Sequence, residues 1–154
     1  MFRTTAMAAM ALIMAGAAFR DARATGDATV IELTQTPCQF LEPEGGDKGF
    51  KSTRADDCKK INRQTGKQRL AAAKPLVLKP GKYVFRVTNK NVPYPLGFYL
   101  RAANVLKIPF KPKVSGGGMT TGKTLEYEIE LTPGEYVYSC PLNPTPDYPL
   151  IVKE

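Results

Sequence analysis

The sequence predicts an all-β sandwich of short, antiparallel strands, and three observations predict it. Runs such as Tyr83-Val84-Phe85-Arg86-Val87-Thr88-Asn89 alternate apolar and polar side chains, as a strand with one buried face must. Lys79-Pro80-Gly81-Lys82 and Thr132-Pro133-Gly134-Glu135 place Pro-Gly turns between such runs. The length of 154 residues suits one domain and leaves no room for a second core.

Residues 1–24 read as a secretory signal. Arg3 supplies the positive start, residues 6–18 the apolar run, and Ala22-Arg23-Ala24 the small-x-small cleavage pattern. A bilayer span needs about 20 apolar residues, and no run in the chain approaches that. No Cys follows the apolar run to receive a lipid. The expected mature chain is residues 25–154, periplasmic or secreted, with no transmembrane segment.

Residues 29–33 begin the first strand, and Pro37-Cys38-Gln39-Phe40 closes it with a turn. Residues 42–50 are Gly-rich and charged and lead into Ser52-Thr53-Arg54-Ala55-Asp56, where Thr53 and Asp56 are placed to cap a helix. A short helix to about Gln64 would carry Ala55, Cys58 and Ile61 as an apolar stripe. Gly66 then breaks it, and residues 68–73 add a further turn. Residues 75–79 and 83–89 read as strands, and residues 96–101, 123–131, 136–140 and 148–152 supply the others. Gly116-Gly117-Gly118 falls in a long connection and reads as a flexible bend, because no Gly-Lys-Ser/Thr follows to make a phosphate cradle. Glu126, Glu128 and Glu130 alternate onto one solvated strand face.

The formal charge is +8, and cleavage would remove three Arg and one Asp, lowering it by two to +6. Lys and Arg are spread without a dense run, which serves solubility or attraction to acidic partners; nucleic acid is not an expected partner of an exported chain.

The segment from Leu78 through Pro80-Gly81 to Asn89 resembles the cupredoxin pattern, in which a Pro-Gly turn precedes a core strand ending in Asn. Leu131-Thr132-Pro133-Gly134-Glu135-Tyr136-Val137-Tyr138-Ser139-Cys140 resembles the strand that delivers the copper-ligating Cys, and Leu150-Ile151-Val152-Lys153 the last strand. The resemblance implies a Greek-key sandwich with residues 41–74 as a helical insertion. Pro37-Cys38-Gln39 with Cys140-Pro141-Leu142 is most similar to the cupredoxin-like domain of EfeO-type periplasmic iron-uptake proteins, which implies metal handling with copper or iron.

A blue-copper centre needs two imidazoles and a thiolate with a weak axial thioether. The chain contains no His, and the resemblance puts Leu96 where the first His belongs. Asn143 and Asp147 stand nearest the positions of the second His and the Met; hard oxygen donors suit copper poorly. The candidate metal residues are therefore Cys140, Met119, Asp147 and Asn143, with Glu42 or Glu44 as further oxygen partners, unless the site is vestigial and metal-free. Met119 also reads as a core filler.

Three cysteines in an oxidising compartment allow one disulfide and one leftover thiol. Pairing Cys38 with Cys58 would close a loop of about 20 residues, worth ~3 kcal/mol in the loop-entropy account. The EfeO resemblance instead sets Cys38 close to Cys140. With no Cys-x-x-Cys and no His base, a thiol enzyme is not expected. The loops Val92-Pro93-Tyr94-Pro95-Leu96 and Pro141-Leu142-Asn143-Pro144 are stiffened by proline and would meet in a patch around Tyr94, Pro95, Leu96 and Leu142. Such a patch plugs its own end or docks an exported protein partner.

Overall fold

The computed structural model describes residues 28–104 and 110–154; the expected signal, residues 1–24, lies outside them. The elements are β1 (Thr29–Thr36), β2 (Gln39–Phe40), α1 (Leu41–Glu44), α2 (Ala55–Ala72), β3 (Leu76–Leu78), β4 (Gly81–Asn89), β5 (Leu96–Ala102), β6 (Val114–Met119), β7 (Thr124–Leu131), β8 (Gly134–Ser139) and β9 (Tyr148–Val152). They form two sheets, β2-β1-β4-β7 and β3-β9-β8-β5-β6.

The period-two patterns place the core. On β4 the buried positions are Tyr83, Phe85, Val87 and Asn89, and on β7 they are Tyr127, Ile129 and Leu131, with Glu126, Glu128 and Glu130 outside. Phe98 of β5 packs between the sheets, its ring centroid 5.6 Å from Phe85 and 5.0 Å from Tyr127. Phe40 meets Tyr138 and Tyr148 edge-on at 5.4 and 5.8 Å. Such aromatic pairs add about 0.5–1.5 kcal/mol each beyond the area they bury.

The sheets are mixed, not antiparallel throughout. β1 runs parallel to β4 over seven register pairs from Thr29↔Tyr83 to Gln35↔Asn89, and β3 runs parallel to β9. Parallel pairing needs a long crossover, and the insertion between β2 and β3 supplies one. Both Pro-Gly turns are corners rather than hairpins: one joins β3 to β4 and the other β7 to β8, and each carries the chain from one sheet to the other. Gly81 and Gly134 make those corners at φ of 151° and 149°, a region side-chain-bearing residues rarely adopt.

The glycine run is part of a strand. Residues Val114–Met119 pair with β5, with a register shift between Leu96 and Phe98. A Cβ on Gly116 would stand 2.9 Å from the Tyr127 ring, and one on Gly97 2.7 Å from the Gly116 carbonyl oxygen. Gly97 and Gly116 are glycine because two backbones and a ring approach too closely there for side chains.

The helix continues through Gly66 to Ala72 instead of stopping near Gln64. A mid-helix glycine costs about 1 kcal/mol, and contacts beyond it outweigh that. Arg69, one turn further on, forms an ion pair with Glu44 at 2.6 Å, with side-chain exposures of 8% and 1%. Arg69 also donates to the Cys38 carbonyl at 2.8 Å, and its guanidinium lies 4.6 Å from the Phe50 ring centroid. Leu70 and Ala73 pack on the core. At the helix start it is Asp57, not Asp56, that caps: its Oδ2 accepts from the Thr53 and Arg54 amides, while Asp56 pairs with Lys59. The buried helix positions are Cys58, Gly66 and Arg69; Ala55 and Ile61 are only half-buried.

Candidate functional site: the loop after Cys140

β8 ends at Ser139 and delivers Cys140 into the sandwich interior. Its sulfur accepts N–H bonds from Gly97 at 3.4 Å and Asn143 at 3.2 Å. Burial pushes the thiol above its usual range, and these N–H bonds pull the other way. Leu96 and Met119 face each other across the β5–β6 ladder and are fully buried in the same cluster as Cys140. Asn89 holds the neighbouring loop: its side-chain amide donates to the carbonyls of Val92, Tyr94 and Met119.

Cys38 is disulfide-bonded to Cys58, and Cys140 is a buried free thiol. The bond anchors the first turn of α2 to the β1–β2 turn. Cys38 sits there at φ 66°, a left-handed conformation uncommon for a non-glycine residue.

Asn143 joins the disulfide to the thiol. Its Oδ1 accepts from the Cys38 amide at 2.9 Å and from the Tyr94 hydroxyl at 3.3 Å, and it touches Cys58 Sγ at 3.2 Å. Its Nδ2 donates to the Thr36 carbonyl at 3.0 Å while its own amide points at Cys140 Sγ. Fully buried, Asn143 works as a latch between the loop, the β1–β2 turn and the insertion. Asn62 of α2 adds a bond to the Pro144 carbonyl.

The oxygen donors expected beside Cys140 have other partners. Asp147 pairs with Arg101 at 2.8 Å on the surface, Glu44 is held by Arg69, and Glu42 accepts from the Thr34 amide at 2.9 Å. Among the described residues no three His, Cys, Asp or Glu side chains are grouped so as to hold a metal ion. Of the expected partner patch, Leu96 is buried and Tyr94 is half-buried, its hydroxyl 2.6 Å from Ser52. Pro95 is exposed, and Leu142, at 47% exposure, stands out from the loop. Leu142 and Pro141 border a groove of about 510 Å³ over Gly97, Tyr99, Ser115 and Gly117, with Lys113 at its edge.

No protein-family model matches the chain, and no curated protein matches it. A solved structure does: auracyanin B, a cupredoxin, with a TM-score of 0.51 over 82% of this chain and 90% of that one, at 12% identity. The chain has the cupredoxin fold. The likeness reaches across both sheets and, at this identity, speaks for the fold alone.

Copper is the metal this fold implies, and a type-1 centre does not fit the residues present. A trigonal N,N,S set needs imidazoles, whereas this cupredoxin-like chain places aliphatic Leu96 at one ligand position and hydrogen-bonded Asn143 near the other. Cys140 and Met119 keep sulfur donors in the core.

Several site residues escaped the sequence. Gln35 is fully buried and donates to the Gly97 carbonyl at 2.8 Å. Its Oε1 and Thr36 Oγ1 are buried without a hydrogen-bond partner among the described residues. The signal for Gln35 was its place in period-two register with Ile31 and Leu33, and a glycine inside the β5 run was the signal for close backbone approach at Gly97. Nothing in the sequence singled out Lys113.

Proposed function

We propose that this is an exported cupredoxin-like protein that acts as a docking module for another exported protein, through the end of the sandwich where the loop after Cys140 presents Leu142. The observation that carries this is the Asn143 latch. It satisfies the buried polar groups where copper ligands would stand, and so fixes the loop with Leu142 outward. The signal-like residues 1–24 and the Cys38–Cys58 disulfide support export into an oxidising compartment. No helix among the described residues is long and apolar enough to cross a membrane.

Metal handling through Cys140 is the second reading, favoured by its two N–H···S bonds and by the second buried sulfur, Met119. Oxygen donors have left that reading, because Asp147, Glu42, Glu44 and Asn143 are engaged elsewhere.

One experiment separates the two. A photo-crosslinking residue at position 142, in cells exporting the protein, should yield a discrete adduct whose partner, once identified, crosslinks back to this chain. Protein purified from the same cells under copper- and iron-replete growth should carry substoichiometric metal. Stoichiometric copper or iron that disappears in Cys140→Ser would overturn the docking reading, as would the absence of any adduct.

A further inference from the structure

We propose that the groove beside Leu142 takes an extended partner segment through one bulky apolar side chain, with a carboxylate of the same segment meeting Lys113. This rests on the docking reading above and names the chemistry of its partner.

The groove exists because two positions of the β5–β6 pair, Gly97 and Gly117, carry no side chain. A Cβ built on Gly97 or on Gly117 would lie 3.6 Å from Leu142 Cδ1, so the two glycines form the floor and Leu142 the wall. Tyr99, Ser115 and Lys113 continue the lining of its 510 Å³ volume. β6 ends its sheet and pairs only with β5, and Ser115, Gly116, Gly117 and Gly118 are all exposed. A strand edge without side chains offers its backbone N–H and C=O groups to an extended chain, and natural sheets usually block such edges with charge, proline or bulges. Here the edge is open alongside an apolar slot.

Charge selects the occupant. Lys113 is exposed and has no carboxylate within salt-bridge distance among the described residues, in a chain of net charge +8. Gly117 and Lys113, the residue just before β6, are four residues apart, about 13 Å along an extended chain. An extended segment with an apolar residue and an acidic residue at the same spacing would match both.

The test uses two blocked peptides, acetyl-Phe-Thr-Val-Thr-Glu-amide and acetyl-Phe-Thr-Val-Thr-Lys-amide, titrated into the exported, ¹⁵N-labelled protein. The Glu peptide should shift the amides of Gly97, Ser115 and Gly117 and bind about fivefold more tightly than the Lys peptide. Gly117→Val should weaken binding about tenfold with the spectrum otherwise native, because a Cβ there meets only ordinary contacts at 3.6 and 3.8 Å. Lys113→Glu should reverse the preference. Shifts elsewhere, equal binding of the two peptides, or indifference to Gly117→Val would overturn the slot. A reciprocal adduct at position 142 would then still leave docking standing.

Discussion

The interior of the sandwich and the inserted segment between β2 and β3 are held by opposite means. Between the sheets, stability comes from aromatic and aliphatic side chains in period-two register, with Phe98, Phe85, Tyr127, Tyr138 and Phe40 in mutual contact. The insertion has little apolar area to offer. Its 18-residue helix buries only a half-cystine, a glycine and an arginine, and is fastened by a disulfide, a buried ion pair and hydrogen bonds. Apolar contact tolerates small displacements, whereas ion pairs and hydrogen bonds hold one geometry. The insertion therefore reads as a clamp that fixes the loop after Cys140.

The contrast breaks first in the core. Phe98→Ala should cost about 4–5 kcal/mol in chemical denaturation, since it empties the centre of the aromatic cluster; a cost below that of the clamp variants would contradict the division drawn above. Arg69→Met should cost about 3 kcal/mol by leaving Glu44 buried without its cation, and adding Glu44→Leu should recover most of it. Failure of the double variant to recover would mean that Arg69 acts through Cys38 and Phe50 rather than through the pair. Replacing both Cys38 and Cys58 by Ser should lower stability by about 2–3 kcal/mol, read in the same assay without reductant. Asn143→Ala should cost about 2 kcal/mol and speed alkylation of Cys140, because the side-chain latch is lost and the loop is then free to carry its backbone amide away from the sulfur.

The smallest effect concerns pH. Burial holds the Cys140 thiol above its usual range, so the unfolded chain ionises first and unfolding releases the proton. That contribution is complete below the ordinary thiol pKa and is lost as pH rises past about 8.5. Cys140→Ala should flatten part of the alkaline fall in stability. An unchanged alkaline limb would assign the fall to Tyr138 and Tyr148, whose hydroxyls burial also pushes up.

Local chemistry was legible where one residue pair or one period decides the outcome. The alternation on β4 and β7, the Pro-Gly corners, the helix in the insertion and the Cys38–Cys58 alternative could all be read directly. The candidate site was legible only in part. Cys140 and Asn143 could be placed on the loop, but the partners of Asn143 lie in three distant segments, at Thr36 and Cys38, at Cys58, and at Tyr94. β6 escaped because four of its six residues are small and exposed, so it shows no period at all.

By itself the sequence determined that no imidazole is available to a metal, that Pro-Gly corners separate strands with one apolar face, and that three thiols leave one unpaired. Those are properties of composition and of local conformational preference. Only the tertiary structure decided that Asp147, Glu44 and Glu42 are engaged away from Cys140, which side of the loop carries Leu142, and why Gly97 and Gly116 must be glycine. These depend on distances between segments far apart in the chain, where steric contact and hydrogen-bond satisfaction act and sequence spacing carries no information.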